Sequence, residues 1–247
     1  MRTFALVIAV PLLLTPLAAC SFGGSDTESK PGLPASGSGT TRTFAAADFT
    51  AVELRGADDV DVRVGTGFSV RAEGPAAELD KLKIERDGDT LKIGRVTSHG
   101  ISWGSKNKVM VYVTMPRIAE GSVAGSGDLT IDRVEGQEFA GNLAGSGNIT
   151  IAAFSVQSAK FAIAGTGDTK VAGTAKRLKV EIAGTGDLDA AALKAESADV
   201  SIAGTGSVRA EVNGSANVNI LGTGDVDLGK GATCSTSKMG TGEVRCG

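Results

Sequence analysis

The stretch Ile182-Ala183-Gly184-Thr185-Gly186-Asp187-Leu188-Asp189-Ala190 is one copy of a phrase that recurs from Val123 to the end of the sequence. Its glycine pair returns at steps of 20, 20, 19, 20, 18 and 18 residues. A period of this size is typical of a solenoid, in which each turn buries its apolar face only against neighbouring turns. The pairs are Gly125/Gly127, Gly145/Gly147, Gly165/Gly167, Gly184/Gly186, Gly204/Gly206, Gly222/Gly224 and Gly240/Gly242.

Apolar residues alternate with polar ones inside each copy. Val180, Ile182 and Leu188 share one parity with the glycines, while Glu181 and Asp187 lie on the other. This period of two indicates strands, and helical spacing fits none of the copies. Each copy therefore predicts two short strands joined by a bend at the glycine pair, where an inward corner leaves little room and a positive φ can be needed.

The predicted fold is all-β. It is a single-stranded parallel β-helix, a solenoid of 18–20 residues per coil, with coils about 4.8 Å apart. The crossover rule predicts a right-handed coil. The interior must be a thin stack of Val, Ile, Leu and Ala, because aromatic residues are only 4% of the chain and Gly numbers 35. Phe139, Phe154 and Phe161 are its expected larger fillers.

The N-terminus has the features of an exported precursor. Residues 1–19 contain one charge, Arg2, then an apolar run that is too short for a comfortable membrane span, then small residues before Cys20. Leu17-Ala18-Ala19-Cys20 resembles the bacterial lipobox. The resemblance implies cleavage before Cys20 and attachment of palmitate-type lipid to its sulfur and amino group. An ordinary secretory peptide with an incidental cysteine is the alternative.

Three further segments follow the signal peptide. Residues 20–43 are rich in Gly, Ser, Pro and Thr and predict a flexible tether. Residues 44–117 continue the alternation without the repeated phrase and predict an irregular β N-terminal cap, with one short helix at Ala76–Lys81. A solenoid needs such a cap because an open edge strand invites pairing with other chains. Residues 118–247 are the predicted regular repeats.

The order of motifs resembles a known family. It runs from the lipobox through Asp48-Phe49-Thr50-Ala51-Val52, Val60-Asp61-Val62, Leu91-Lys92-Ile93 and Val111-Tyr112-Val113-Thr114-Met115-Pro116 to Gly125-Ser126-Gly127-Asp128. The chain is similar, over about Phe44–Gly247, to the putative autotransporter adhesin, head GIN domain family. This resemblance implies a β-helical envelope protein without an established enzymatic role. The word adhesin rests there on structural analogy and is not evidence of binding.

Charge and cysteine content restrict the partners. Removing Arg2 with the signal leaves 24 basic against 28 acidic residues, a charge of −4, which disfavours nucleic acid and an electrostatic membrane footprint. Lipidation would use Cys20, leaving Cys234 and Cys246 as one pair in an oxidising compartment. A disulfide there would close the last coils and stabilise them by about 3 kcal/mol in the loop-entropy model. Two free thiols are the alternative.

Two outward rows border the repeated corner. The hydroxyl row is Ser126, Ser146, Thr166, Thr185, Thr205, Thr223 and Thr241, and the acidic row is Asp128, Asn148, Asp168, Asp187, Ser207, Asp225 and Glu243. Like charges about 4.8 Å apart repel, so something should offset them. We expect each Asp to accept backbone N–H groups of its own turn. The alternative is Ca²⁺ held between coils by Asp128, Asp168, Asp187, Asp225 and Glu243, although the spacing differs from that of calcium β-rolls.

A parallel β-helix also suggests a polysaccharide lyase or hydrolase. Paired carboxylates at suitable spacing are easily found in a stack of coils. Steps of 18–20 residues, however, leave no room for the loops that would wall a cleft and shift a carboxyl pKa. His99 is the only histidine, which gives a zinc site or a catalytic triad almost no support. No catalytic residue, metal or cofactor is predicted.

One stretch, Arg95–Lys108, breaks the pattern. It contains the only Trp and the only His of the chain. An aromatic residue on a basic loop can dock a polymer or a partner, which makes Trp103, His99, Lys106 and Lys108 candidates. The alternative is a Trp that folds back over the cap.

The predicted function is that of a lipid-anchored, non-enzymatic cell-envelope protein. It would present its long faces to an envelope polysaccharide or to a protein, and its only contact with the membrane would be the lipid anchor. A carbohydrate-active β-helix enzyme and a calcium-stabilised structural module are the alternatives.

Overall fold

A computed structural model describes residues 31–96 and 108–247. It is 68% strand and 2% helix, and its parallel strands stack into a β-solenoid of about six turns, which confirms the predicted fold class. Within the described residues the one helix is α1, Ala76–Leu79, inside the predicted helix. The right-handed sense of the coil stays a prediction.

The regular part of the solenoid is built from strands that run through more than one side of a coil. Its strands are β9 (Glu120–Gly125), β10 (Leu129–Gly145), β11 (Ile149–Gly165), β12 (Thr169–Gly184), β13 (Leu188–Gly204), β14 (Val208–Val212), β15 (Gly214–Gly222), β16 (Val226–Asp227), β17 (Ala232–Gly240) and β18 (Val244–Arg245). Each pairs in parallel with the strand one coil later, so that Ile163, Ile182 and Ile202 stand in register. Equivalent apolar residues of successive coils therefore stack on one another.

The interior is the thin apolar stack that the composition predicts. Val180, Ile182 and Leu188 are at most 3% exposed, so the inward parity is confirmed. Phe139, Phe154 and Phe161 are also buried, with ring centroids 5.5 to 6.1 Å apart. These three rings pack together in the core of the first regular coils, at a separation that favours aromatic pairs.

The coils at the N-terminal end are not stacked in chain order. β3 (Ala51–Gly56) and β4 (Asp59–Val64) form one coil, and β7 (Thr90–Arg95) and β8 (Met110–Met115) form another. β3 pairs in parallel with β7 on one side and with β9 on the other, and β4 likewise lies between β8 and β10. The coil at 51–64 is therefore second in space, although it is first along the chain.

Antiparallel strands cover the outer edges of the terminal coil. β5 (Ser69–Glu73) pairs with β8, and β6 (Leu82–Asp87) pairs with β7. β2 (Thr41–Phe44) adds to β5, and β1 (Ala35–Ser36) adds to β2. These added strands pair with backbone groups that the terminal coil would otherwise leave open at its outer edge.

The expectation of a flexible tether does not hold for the second half of residues 20–43. β1 and β2 lie within it, and the Leu33 N–H donates to Ile84 O at 2.7 Å. Phe44 is buried at the end of β2 and fixes that strand on the core. Polar composition was misleading here because backbone pairing to β5, together with burial of Phe44, holds the segment. Residues 20–30 lie outside the described part.

The C-terminal end differs from the N-terminal end. Among the described residues, β17 pairs only with β15 and β18 only with β16. The inward positions of this last coil include polar Thr236 and Lys238, in register with Val218 and Ile220 of the coil beneath. The end of the solenoid thus changes from an apolar to a polar interior.

Candidate functional site

The corner at each glycine pair is a point of close contact between coils. The N–H groups of Thr185 and Gly186 both donate to Gly165 O, at 2.9 and 3.1 Å. Gly184 has a φ of +135°, and a Cβ at that position would overlap the carbonyl of Gly165. Only glycine fits both the backbone angle and the approach of the neighbouring coil, which explains the repeated phrase.

The acidic row forms a hydrogen-bonded ladder from coil to coil. Asp168 Oδ1 accepts the N–H of Asp187 at 3.0 Å, and Asp187 Oδ1 accepts the N–H of Ser207 at 2.6 Å. We call this series the corner ladder. In its other hydrogen bonds, the Asp128 N–H donates to Asp59 Oδ1, the Asn148 N–H to Asp128 Oδ1, the Asp168 N–H to Asn148 Oδ1 and the Glu243 N–H to Asp225 Oδ1.

The source of these donors corrects the sequence-based expectation. Each carboxylate accepts an N–H from the corner of the following coil, whereas the expectation placed the donor in its own turn. Each backbone N–H brings a partial positive charge next to a carboxylate oxygen, so the ladder offsets the repulsion along the row. It also ties consecutive coils together at their tightest point.

The first rung is Asp59, which the sequence analysis did not include. It lies three residues after Gly56, which pairs with Gly125 and has a φ of +113°. The signal was present in the sequence, because Gly56 and Asp59 have the same spacing as Gly125 and Asp128. It was hidden because Asp58 stands where the regular coils have their second glycine.

Asp58 forms a buried ion pair at this irregular corner. It is 1% exposed, and its carboxylate accepts Arg95 Nε at 2.7 Å, Arg95 Nη2 at 2.5 Å and the Val109 N–H at 2.9 Å. Arg95 also donates to Glu78, which is 9% exposed. The hydrogen bond to Asp58 raises the pKa of Arg95 above its usual value. The cluster joins the β4 corner, the end of β7 and α1.

Lys108 is the only predicted partner-binding residue within the described part. Its ammonium lies 2.8 Å from Asp59 Oδ1, and this hydrogen bond raises the pKa of Lys108. Lys108 is thereby attached to the first rung of the corner ladder. Trp103, His99 and Lys106 lie outside the described residues, and so does Cys20.

Cys234 and Cys246 are joined by a disulfide, with Cα atoms 6.1 Å apart. Their separation is 12 residues. The bond connects the start of β17 to the end of β18, and so closes the last coil on itself.

Two surface depressions could hold small ligands. One of about 100 Å³ lies beside Ser207, Asp225 and Glu243, where the corner ladder is interrupted at Ser207. Its Asp225 accepts the Glu243 N–H, and Glu243 pairs with Arg245 at 3.0 Å. The other, of about 310 Å³, is an open groove over Phe154 and Gly173 at the register shift between β11 and β12. Within residues 31–96 and 108–247, no group of His, Cys, Asp or Glu side chains could hold a metal ion.

A match to a family model identifies the family of this chain. The family model described as putative auto-transporter adhesin, head GIN domain, matches residues 48–232. The chain belongs to this family. The match covers the irregular coils as well as the regular ones, and it therefore includes both Asp58 and most of the corner ladder of this head GIN domain.

Solved structures share the fold of this head GIN domain. A putative adhesin from Bacteroides fragilis is 22% identical with a TM-score of 0.77, over 83% of this chain and 95% of that one. A protein titled putative lipid binding protein from Parabacteroides distasonis is also 22% identical, with a TM-score of 0.66 over the same shares. A putative adhesin from Parabacteroides distasonis is 20% identical, with a TM-score of 0.64 over 84% and 96%. The comparison with curated proteins finds no match.

We expect Ca²⁺ to leave the stability of this head GIN domain nearly unchanged. The Asp187 carboxylate already accepts a backbone N–H, and an amide oxygen in Asp187→Asn keeps that acceptor. A bridging ion at 100 times its Kd would instead add about 2.7 kcal/mol. Thermal melts in EDTA and in millimolar Ca²⁺ measure the difference. A rise of many degrees that Asp168→Asn abolishes would make the acidic row a calcium site.

Thiol labelling tests the disulfide. We expect no free thiol at Cys234 or Cys246 when the mature protein is unfolded without reductant. Hydrogen exchange should then show that reduction speeds opening of the last coil and leaves the central coils unchanged, because coil contacts are nearest-neighbour. Two labelled thiols in the unreduced sample would contradict the bond.

Proposed function

We propose that this head GIN domain protein is a lipid-anchored, non-enzymatic module of the cell envelope. It binds an envelope polysaccharide or protein through the long side of the solenoid that carries the hydroxyl row. The supporting observation is the continuity of that row, which is exposed at every coil from Ser126 to Thr241. Family membership supports an adhesin-like role of this kind.

The geometry of this side suits an extended ligand. The hydroxyl row runs beside exposed Ala124, Ala144, Ala164, Ala183 and Ala203, so the surface is shallow and small side chains repeat at each coil. Repeated groups about 4.8 Å apart can contact many units of a polymer or a long protein edge. An extended surface of this kind is how solenoid proteins commonly bind their partners.

The use of the carboxylates supports a non-enzymatic role. In the regular coils the best-placed acids, such as Asp168 and Asp187, accept backbone N–H groups of the next coil. These hydrogen bonds engage the Oδ1 atoms of both carboxylates in contacts between coils. These residues thus serve the stacking of coils.

The fold relatives bear on the partner class. Two of them are titled putative adhesins and one a putative lipid binding protein. For this chain we propose an extracytoplasmic polymer or protein as the partner and the Cys20-linked lipid as its contact with the membrane. Among the described residues, no helix combines the length and apolar character needed to cross a membrane.

Capture from the envelope fraction of the same organism tests the partner. The immobilised mature protein should retain a specific polysaccharide or protein, and Thr185→Lys with Thr205→Lys should abolish retention. The matched control is Ser155→Lys with Thr174→Lys. These two exposed residues also lie in register on adjacent coils, but on another side of the solenoid. Equal retention by both variants would contradict the assigned side, and release of new reducing ends from the polysaccharide would favour the enzyme alternative.

The anchor has its own test. We expect Cys20→Ser to remove the protein from the detergent-extractable membrane fraction, either as an uncleaved precursor or as a soluble form. Fractionation and metabolic labelling with a fatty acid measure this, with the wild type as control. Membrane association and label that persist in Cys20→Ser would count decisively against lipidation at this residue.

A further inference from the structure

We infer that the free edge of β17 pairs with β17 of a second copy of this chain, in antiparallel orientation, to form a tail-to-tail dimer. β17 is nine residues long, from Ala232 to Gly240. One side of it pairs with β15 along its whole length. No strand of residues 31–96 or 108–247 pairs with its other side. An unpaired edge of this length is a template for strand addition.

The hydrogen-bond pattern identifies the free backbone groups. The Gly214 N–H donates forward to Gly231 O, while the Thr241 N–H donates back to Gly222 O. Because N–H directions alternate along a strand, the amides of Cys234, Thr236 and Lys238 point away from β15. Their carbonyl groups point the same way. This gives the edge a regular set of donors and acceptors that is complementary to itself in the antiparallel direction.

Two of the usual protections against edge pairing, a Pro and a bulge, are missing from this strand. β17 contains no Pro, and its register with β15 is unbroken from Gly214↔Ala232 to Gly222↔Gly240. Its one charged residue is Lys238, whose Nζ donates to Gly242 O of the same copy at 2.7 Å and does not project along the free edge.

A disulfide restricts the motion of the β17 edge. The Cys234–Cys246 bond links the first half of β17 to the segment just after β18. A terminal strand would otherwise fray, and fraying would add an ordering cost to any association. The disulfide therefore reduces the conformational entropy that β17 loses when the dimer forms.

Exposed apolar side chains are concentrated at the same end. Met239 is 72% exposed and Leu221 is 59% exposed, and the two stand in register on β17 and β15. The earlier regular coils carry only Ala at this position, as at Ala183 and Ala203. Of the large apolar residues in the described part, one other, Val96, is exposed. In the paired arrangement Met239 would lie beside the second copy's strand on the outward face, and contact there would cover part of its side chain.

The proposed contact joins two C-terminal ends. In the described part, β7 and β8 of the N-terminal coil are already paired with β6 and β5, so neither offers β17 a free edge in a head-to-tail stack. Two β17 edges centred on Thr236 would place Lys238 opposite Cys234 of the other copy, so like charges do not face each other. A two-fold axis then closes the contact at a dimer.

Sedimentation and light scattering of the mature protein test the dimer. We expect the mass to double with rising concentration, and Thr236→Pro to raise the dissociation constant of the dimer about 30-fold or more, since each copy loses one donor. Proline is tolerated there because that amide faces away from β15. Thr236→Ala keeps the amide and should dimerise like the wild type.

Hydrogen exchange on the wild type gives an independent readout. The amides of Cys234, Thr236 and Lys238 should exchange more slowly as concentration rises, and those of Ser235 and Ser237 should not change. A monomer at every concentration, or a Thr236→Pro variant that still dimerises, would overturn the inference. Protection of the three amides that is independent of concentration would also overturn it, because a segment of the same chain would then cover the edge.

Discussion

Gly184→Ala is expected to lower the free energy of unfolding by about 4 kcal/mol, from backbone strain and overpacking together. The φ of +135° disfavours any side chain, and the added Cβ would overlap the Gly165 carbonyl that receives the Thr185 and Gly186 N–H groups. The coils cannot separate locally without breaking these bonds. Chemical denaturation of the mature protein, followed by circular dichroism, measures the loss.

Gly136→Ala is the matched control for this prediction. Gly136 also has a positive φ, +153°, but a Cβ there would meet no atom within 4 Å. We expect Gly136→Ala to lower the free energy of unfolding by about 1–2 kcal/mol, from backbone strain alone. Equal losses in the two variants would show that backbone conformation, and not the approach of neighbouring coils, requires the repeated glycine.

Asp58→Gly is expected to lower the free energy of unfolding by about 3 kcal/mol or more, although Gly is the residue that every regular coil has at this corner position. The substitution removes the acceptor of the Val109 N–H and both bonds from the Arg95 guanidinium to Asp58. Breaking one side of a buried ion pair leaves the other charge and the buried amide poorly paired. The same denaturation experiment measures the effect.

Two further variants separate charge from hydrogen bonding at this corner. Asp58→Asn keeps an oxygen for the Val109 N–H and should recover part of the loss. Asp61→Ala removes the ion pair with Arg63, whose side chain is 69% exposed, and should change stability by less than about 1 kcal/mol. A neutral Asp58→Gly variant would mean that the repeat is tolerated at this corner and that the Arg95 cluster is dispensable.

The regular coils could be predicted from the sequence because their information is local. The glycine pair and the alternation around Ile182 report the corner and the two faces within nine residues. The coil at 51–64 could not be recognised in the same way. Asp58 replaces its second glycine, and its neighbours in space, β7 and β9, come from distant parts of the chain.

The ladder and the N-terminal segment needed the structure for a related reason. The acidic row could be identified from the sequence. Which coil supplies the N–H donor to each carboxylate, however, depends on how far one coil is displaced relative to the next. Likewise, the strand at Thr41–Phe44 pairs with β5 through backbone groups that carry no side-chain signature. Interactions that depend on backbone geometry between distant segments are invisible to residue patterns.

The spatial order of the coils has a consequence for how the chain folds. β3 begins at Ala51 and pairs with Thr90 and Glu120, so both of its neighbours are synthesised after it. From β11 onward, each strand finds its preceding neighbour already made, only one period away. The parallel pairings of the N-terminal region thus have a high contact order, and long loops must close before they form. Growth of the solenoid is vectorial from β9 onward, but its nucleus must wait until residues 51 to 131 have left the ribosome together.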